Sequence, residues 1–516
     1  MNQKEALIIG SHPMTEDVKS QYLQTGFCIK TISEYNGPEA GFNPDEIFVA
    51  TCLDGKTPFL KDTENISLIK GICAELKRDE PLRIHLHLHS PDTLVLFQQR
   101  DIDGDLKGKA EIFPFTAESI WAENIFCQIP GCRMNYPPVD RKHITKDADM
   151  TPHIVIIGMN RMAEAMAVHA SLTCHYPNYT RNHSLRTRIT MISPDMESER
   201  QEFINRHSVL FDNSWYRFID LNKKDGSAVT YLHKPQYEGI REDFTDIEWE
   251  FVSGNFSDAK VTEKLKLWAV SDSQILTLIL CDENEGKNIN SLLQLPKELE
   301  DNMVTVLVRM NSKETSFVLN GRKNVKAFGM DDCGYDISVP LVRLAKMINH
   351  VYDCCYEFNY ASGNTGSEVF APVCIDMEKM EASWKRLSNA KKWSNIYNAM
   401  TLSTKMRSLG HNDTDWEKFY GMTAKEIAVI AEVEHNRWNV EEMLLGFRPV
   451  TPEQEKEIES DISRKKAYKA EFIHYDIRAY RDLRPDDSWR NVNTYDICLS
   501  SAIPLIAKTF MEERNG

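Results

Sequence analysis

The chain of 516 residues has no long hydrophobic run. Its longest apolar stretches, IVIIGM at 154–159 and ILTLILC at 275–281, fall well short of the ~18–20 residues that span a bilayer, so no transmembrane helix is expected. A CxxC pair is also missing. The twelve cysteines are scattered, with only Cys354 and Cys355 adjacent, which fits reduced thiols in a cytoplasmic protein better than a disulfide framework. The opening MNQKEALIIGSHP has no basic stretch ahead of a continuous apolar one, and reads as a first strand rather than a leader. Positive charge is in deficit too. Lys+Arg 61 against Asp+Glu 77 leaves a net charge of -16, so the average surface repels phosphate backbones and anionic lipid, leaving room only for a local basic pocket. No nucleic-acid partner is expected. Glycine (23) and proline (21) are too few for a fibre or a disordered chain, and 42% hydrophobic residues are enough for about three folded units.

Short apolar runs alternate with helix-length amphipathic stretches over the first two thirds, the pattern of parallel sheets covered by helices. ALIIG (6–10), FCIKTIS (27–33), EIFVATC (46–52), RIHLHLH (83–89) and AEIFPF (110–115) form one series of strands. A Pro- and charge-rich segment at 137–152 separates it from a second series: HIVIIG (153–158), RTRITMIS (186–193), EWEFVSG (248–254), QILTLILC (274–281), VTVLVRM (304–310) and KAFGM (326–330). The expected architecture is α/β: two successive Rossmann-like domains at 1–145 and 152–337, a helical connector at 338–414 and a small α-rich unit at 415–516. In the last, Thr423 caps a helix that ends at Gly446.

HIVIIGMNRMAEAM is a strand, turn and helix of the kind that holds a pyrophosphate on a helix N-terminus. The pattern is Gly158-x-Asn160-x-x-Ala163, with Asn160 where a second glycine allows close approach. Gly158, Asn160, Arg161, Met162 and Ala163, with Ser193 and Asp195 at the end of the next strand, are the candidate contacts for NAD or an adenine nucleotide. The alternative is that the unit survives as scaffold. His85, His87 and His89 share one strand face, where a His-x-His pair chelates zinc if a neighbouring strand adds a ligand, and where a buried strand equally holds them neutral. Glu432 and His435 have Glu-x-x-His spacing, but one copy does not make a di-iron site, and no metal is assigned. Hydrolase, phosphotransferase and metalloprotease motifs are missing, and no catalytic residue is assigned. The densest polar and aromatic group is in the tail: Glu434, His435, Arg437, Trp438 and Arg448, then Tyr475 and Tyr480. Such residues can stack a base, hold phosphate and bind ribose, or equally form a core with helix ion pairs.

The tail IAEVEHNRWNVEEMLLGFRPV, with HYDIRAYRDL and YDICLSSAIPLI, resembles the ryanodine receptor repeat (RyR) domain. Glu434, His435, Trp438, Gly446, Phe447, Tyr480, Leu483, Asp496 and Pro504 carry the resemblance, and Ala479 stands where that family has proline. Upstream, GMNRMAEAM, RITMIS, LILCDENEGKNINSLLQL, VTVLVRM and KAFG resemble the TrkA-N domain of bacterial potassium-uptake regulators, as found fused to RyR. The resemblance implies a cytoplasmic regulator or sensor rather than a catalyst, with a nucleotide-type ligand on the RyR unit. Trp438 would stack the base, Arg437 and Arg448 would meet phosphate, and Glu434 or His435 would fix ribose. A membrane-channel or signalling protein and a further copy of the chain are the partners it suggests, in ion transport or in stress and defence. An NAD(P)-linked oxidoreductase and an adaptor with vestigial pockets are the rival readings.

Overall fold

The computed structural model describes residues 3–37, 43–76, 80–132 apart from 101 and 103, 135–223, 231–235, 243–358, 374–416 apart from 413 and 414, 422–483 and 494–515. The first series gives five parallel strands: β1 (Glu5–Ile9), β2 (Cys28–Ile32), β3 (Glu46–Val49), β4 (Leu82–His87) and β5 (Ala110–Phe115), in the order β2-β1-β3-β4-β5. Period-two alternation divides the side chains between two cores. Leu7, Ile9, Ile47, Val49, Ile84 and Leu86 pack on one face with Ile69 and Ile72 of the Pro58–Glu75 helix. Ala6, Ile8, Phe48 and Phe115 pack on the other with Val18 and Tyr22 of the Thr15–Gln24 helix. Tyr335 and Ile337, more than two hundred residues downstream, complete this second face.

The second sheet has eight strands: β6 (Thr151–Ile157), β7 (Thr187–Ser193), β8 (Trp215–Asp220), β9 (Tyr231–His233), β10 (Ile247–Ser253), β11 (Gln274–Leu280), β12 (Thr305–Arg309) and β13 (Val325–Phe328). Their order is β13-β12-β11-β6-β7-β10-β8-β9. Six of them, β10-β7-β6-β11-β12-β13, reproduce the 3-2-1-4-5-6 order of a doubly wound sheet, consistent with a Rossmann-like core. β8 and β9 extend the β10 edge, β9 pairs antiparallel, and neither was legible in the sequence. The reason is composition. WYRFID mixes polar and aromatic residues and is only partly covered, unlike the near-continuous apolar runs of the buried strands.

The C-terminal region is helical. Pro340–Tyr356, Met377–Arg386, Asn389–Met400, Thr494–Ser501 and Ile503–Asn515 surround a core of Leu344, Ile348, Trp384, Met400 and Ile506. Within the expected helical connector, 383–410 is divided among three helices, the third being Leu402–Ser408. Ala424–Leu444 begins at Thr423, whose hydroxyl accepts from the Glu426 amide while the Glu426 carboxylate accepts from the Thr423 amide. It packs on Arg161–Thr173 of the second sheet, and its Val440 and Met443 join that sheet's core. So do Trp121 and Ile125 of Ala117–Phe126, the helix following β5.

Candidate functional site

In an open parallel sheet, ligands bind at the strands' C-terminal ends, where successive crossovers leave in opposite directions. In the second sheet that point lies between β6 and β11. Gly158 follows β6 with φ 120°, a left-handed conformation, and a Cβ there would lie 3.1 Å from the Cys281 carbonyl oxygen. Asn160 then caps the Arg161–Thr173 helix. Its Oδ1 accepts from the Met162 amide at 3.1 Å and the Ala163 amide at 3.2 Å, while its Nδ2 donates to the Cys281 carbonyl at 2.5 Å. Met162 and Ala163 bury their side chains in the core and present only backbone here. The amides that would hold a phosphate therefore hold the chain's own amide oxygen.

Arg309, the last residue of β12, donates from Nη1 to Asn160 Oδ1 at 3.4 Å, and its Nε is buried without a partner. Sequence reading missed it, because nothing in VTVLVRM distinguishes a strand-end arginine until the sheet order places it beside Asn160. At the end of β7, Ser193 is buried, whereas Asp195 is exposed and accepts from the Ser198 amide and hydroxyl through its backbone carbonyl. The acid that turns inward is Glu199, one turn on. Burial raises its pKa against a bond from Ser193, and its Oε2 is buried and unpartnered.

Arg161 crosses to the first sheet, donating to the His89 carbonyl and lying 3.5 Å from the Glu118 carboxylate. There His12, which follows β1, and His87 lie with ring centroids 4.6 Å apart, and His87 and His89 4.7 Å apart. Burial, with His89 nearby, pushes His12 down to about 4, and burial also lowers His87 and His89, so all three are neutral at pH 7. His85 bonds the Tyr335 hydroxyl at 2.7 Å and Glu46 at 3.2 Å. Among the described residues no group of three or more His, Cys, Asp or Glu is arranged to hold a metal ion.

The tail residues fall into two sets. Glu434 and Arg437 face the inside of the helical region, where Arg437 bonds Glu434 at 2.7 Å and Glu441 at 2.6 Å, and Lys405 reaches Glu434 at 2.6 Å. Arg437 is 1% exposed. His435, Trp438 and Tyr480 do come together: the His435 ring lies 5.5 Å from half-buried Trp438 and 5.7 Å from Tyr480, and His474 meets Trp438 edge-on at 4.9 Å. His435 Nε2 also bonds the Arg478 carbonyl, and its Nδ1 lies 3.4 Å from Asp496. Tyr475 lies under the Arg478 guanidinium and packs with Val450, Ile458 and Ile473. Arg448 is exposed on a two-residue strand paired with 473–474. No protein-family profile, no curated protein and no solved structure matches this chain.

Proposed function

We propose that this protein is a regulatory sensor that binds a nucleotide-type ligand, such as an adenine nucleotide, NAD or a cyclic nucleotide, at the β6–β11 switch point. The observation that carries the reading is Arg309, a guanidinium with a buried, unpartnered Nε beside a helix N-terminus whose amides are held by Asn160. A phosphate would displace the Asn160 oxygen from the Met162 and Ala163 amides and supply the hydrogen-bond partner that Arg309 Nε lacks. Glu199 and Ser193 stand where ribose hydroxyls would lie. The helix that senses the phosphate also packs on Ala424–Leu444, and Arg161 at its first turn holds the first sheet. Occupancy at one end thus bears on both neighbours, which a sensor needs in order to favour one packing over another. In this reading the RyR-like tail is the receiver, presenting its state to a protein partner in the cytoplasm. No helix among the described residues is long and apolar enough to cross a membrane, so any role in ion transport runs through that partner.

The test is calorimetric titration of the full chain with ADP, NAD, ADP-ribose and cyclic AMP, repeated with Arg309→Leu and Trp438→Ala. Loss of one saturable binding event in Arg309→Leu, with that event kept in Trp438→Ala, is the expected result. The reverse pattern would move the ligand to the Trp438 cluster, turnover of NAD(P)H would favour an oxidoreductase, and no binding at all would leave an adaptor.

A further inference from the structure

β5 is the edge strand of the first sheet, and it does not face open solvent. In its parallel pairing, the Leu82 and Leu88 amides donate to the carbonyls of Lys109 and Phe115, so the odd-numbered residues of β5 bond to β4. The alternation turns the N–H and C=O of Ala110 and Ile112 and the C=O of Pro114 to the other side. Against that side lies a cavity of about 510 Å³, within the ~300–1,000 Å³ range of small-molecule sites. It is lined by residues of Ala117–Phe126, of the 334–342 segment and by Trp384 and Trp393 of the helical region. Phe113, Phe115 and Tyr335 add aromatic wall. Glu111 and Asp336 line it as well as one further carboxyl, that of Glu123. Burial alone holds its pKa up to about 8, with no cation beside it to offset the desolvation.

The cavity shares Glu111, Phe113, Trp384 and Lys392 with a second chamber of about 630 Å³. This one has the opposite character to the protein as a whole. Its walls carry Arg83, Lys107, Arg343, Lys346, Lys385 and Lys392 against three acids, in a chain whose net charge is -16. Several of these charges are paired with one another or with neighbours: Glu381 bonds Arg343 and Lys346, Glu111 bonds Lys346 and the Trp384 indole, Arg343 also bonds Glu513, and Arg83 bonds Glu46, so that Lys107 and Lys385 stand outside these pairs. The first chamber therefore offers aromatic faces, a strand edge with backbone donors and acceptors, and the Glu123 carboxyl. The second offers the ammonium groups of Lys107 and Lys385.

We propose that the two chambers form one ligand site, in which a planar, amine-bearing nitrogen heterocycle lies between β5 and Glu123 and an anionic group joined to it lies in the basic chamber. A heterocycle of nucleobase size matches the strand edge with its own donors and acceptors, stacks on the aromatic wall, and gives Glu123 an N–H partner. The anion meets the cations of the second chamber, which the electrostatics of the remaining surface would repel. The site shares no residue with the β6–β11 switch point, and it is built where the first sheet, the segment returning from the second sheet and the C-terminal helices meet.

The experiment uses the full chain with adenosine 5′-monophosphate, cytidine 5′-monophosphate, adenosine and inorganic phosphate as probes, in the Arg309→Leu background so that the switch point is silent. Saturable binding of at least one monophosphate is expected, with adenosine and phosphate each weaker. Glu123→Leu should raise the melting temperature, because it removes an uncompensated buried carboxyl, and yet weaken the monophosphate about tenfold or more, the loss of a hydrogen bond to a polar group. Lys385→Glu should weaken the monophosphate while leaving the affinity for adenosine unchanged. The proposal is overturned if neither monophosphate binds at millimolar concentration, if Glu123→Leu binds as well as its parent, or if inorganic phosphate alone binds as tightly as the monophosphates.

Discussion

At the scale of single residues, the distinction that matters is between polar groups that are satisfied and those that are not. Arg437, Glu434, Glu441 and Lys405 are all almost fully buried, and their charges compensate one another: beside Arg437 and Lys405, Glu434 is held down at about 2. Removing one member leaves uncompensated charge in the interior. Arg437→Ala is therefore expected to cost about 3–5 kcal/mol in urea unfolding, the range for breaking a buried pair from one side. Were Arg437 a ligand contact on a solvated face, the loss would be within about 0.5 kcal/mol. Arg309 is the opposite case, since its buried Nε lacks a partner, and its replacement by leucine should cost binding rather than stability.

At the scale of elements, two helix starts show how the same backbone requirement can be met in two ways. Ala424–Leu444 is capped by a Thr423–Glu426 box that the sequence displays openly, whereas Arg161–Thr173 is capped by Asn160 at the place a phosphate would take. Asn160→Gly removes the competing oxygen and restores a G-x-G-x-x-A turn. We expect it to tighten nucleotide binding while lowering stability by about 0.5–1 kcal/mol, since glycine replaces an N-cap at small cost and the Nδ2 bond to Cys281 is also lost. Parallel titrations and melts of the variant and its parent would check this, and unchanged affinity would mean that Asn160 does not compete with a ligand.

At the scale of the whole molecule, buried titratable groups set the pH at which the fold is most stable. Burial pushes His12, His169 and His207 down to about 4 and His474 to about 3, so their neutral forms stabilise the fold above the ordinary histidine pKa, and that contribution is lost as pH falls toward 4 and below. Glu123 and Glu442 behave in the opposite sense. Burial raises both to about 8, so the folded state keeps a proton that the unfolded chain has released, and stability declines as pH rises from the ordinary carboxyl range to about 8. The melting temperature should be highest at about pH 6.5, falling on both sides. Glu442→Gln should flatten the alkaline side and move the maximum to higher pH, and a melting temperature of the parent still rising between pH 7 and 8 would contradict the assignment.

The sequence alone determined the strands whose side chains are buried on both faces, because continuous apolar runs such as ILTLILC cannot be left in water. It also determined the Thr423 cap and the Gly446 stop, which are local hydrogen-bonding and backbone requirements. The half-covered β8 gave no such signal, and neither did the return of Tyr335 to the first sheet, a contact between residues 250 apart in the case of His85. Local pattern located Gly158, Asn160 and Arg161, but not Arg309, Glu199 or Glu123. Whether a charged residue is a surface group, half of an ion pair or an unsatisfied group beside a cavity depends on what the fold brings to it from distant parts of the chain. That was the part only tertiary structure decided: it turned Arg437 and Glu434 inward together, buried Arg309 Nε without a hydrogen bond, and set Glu123 beside the edge of β5.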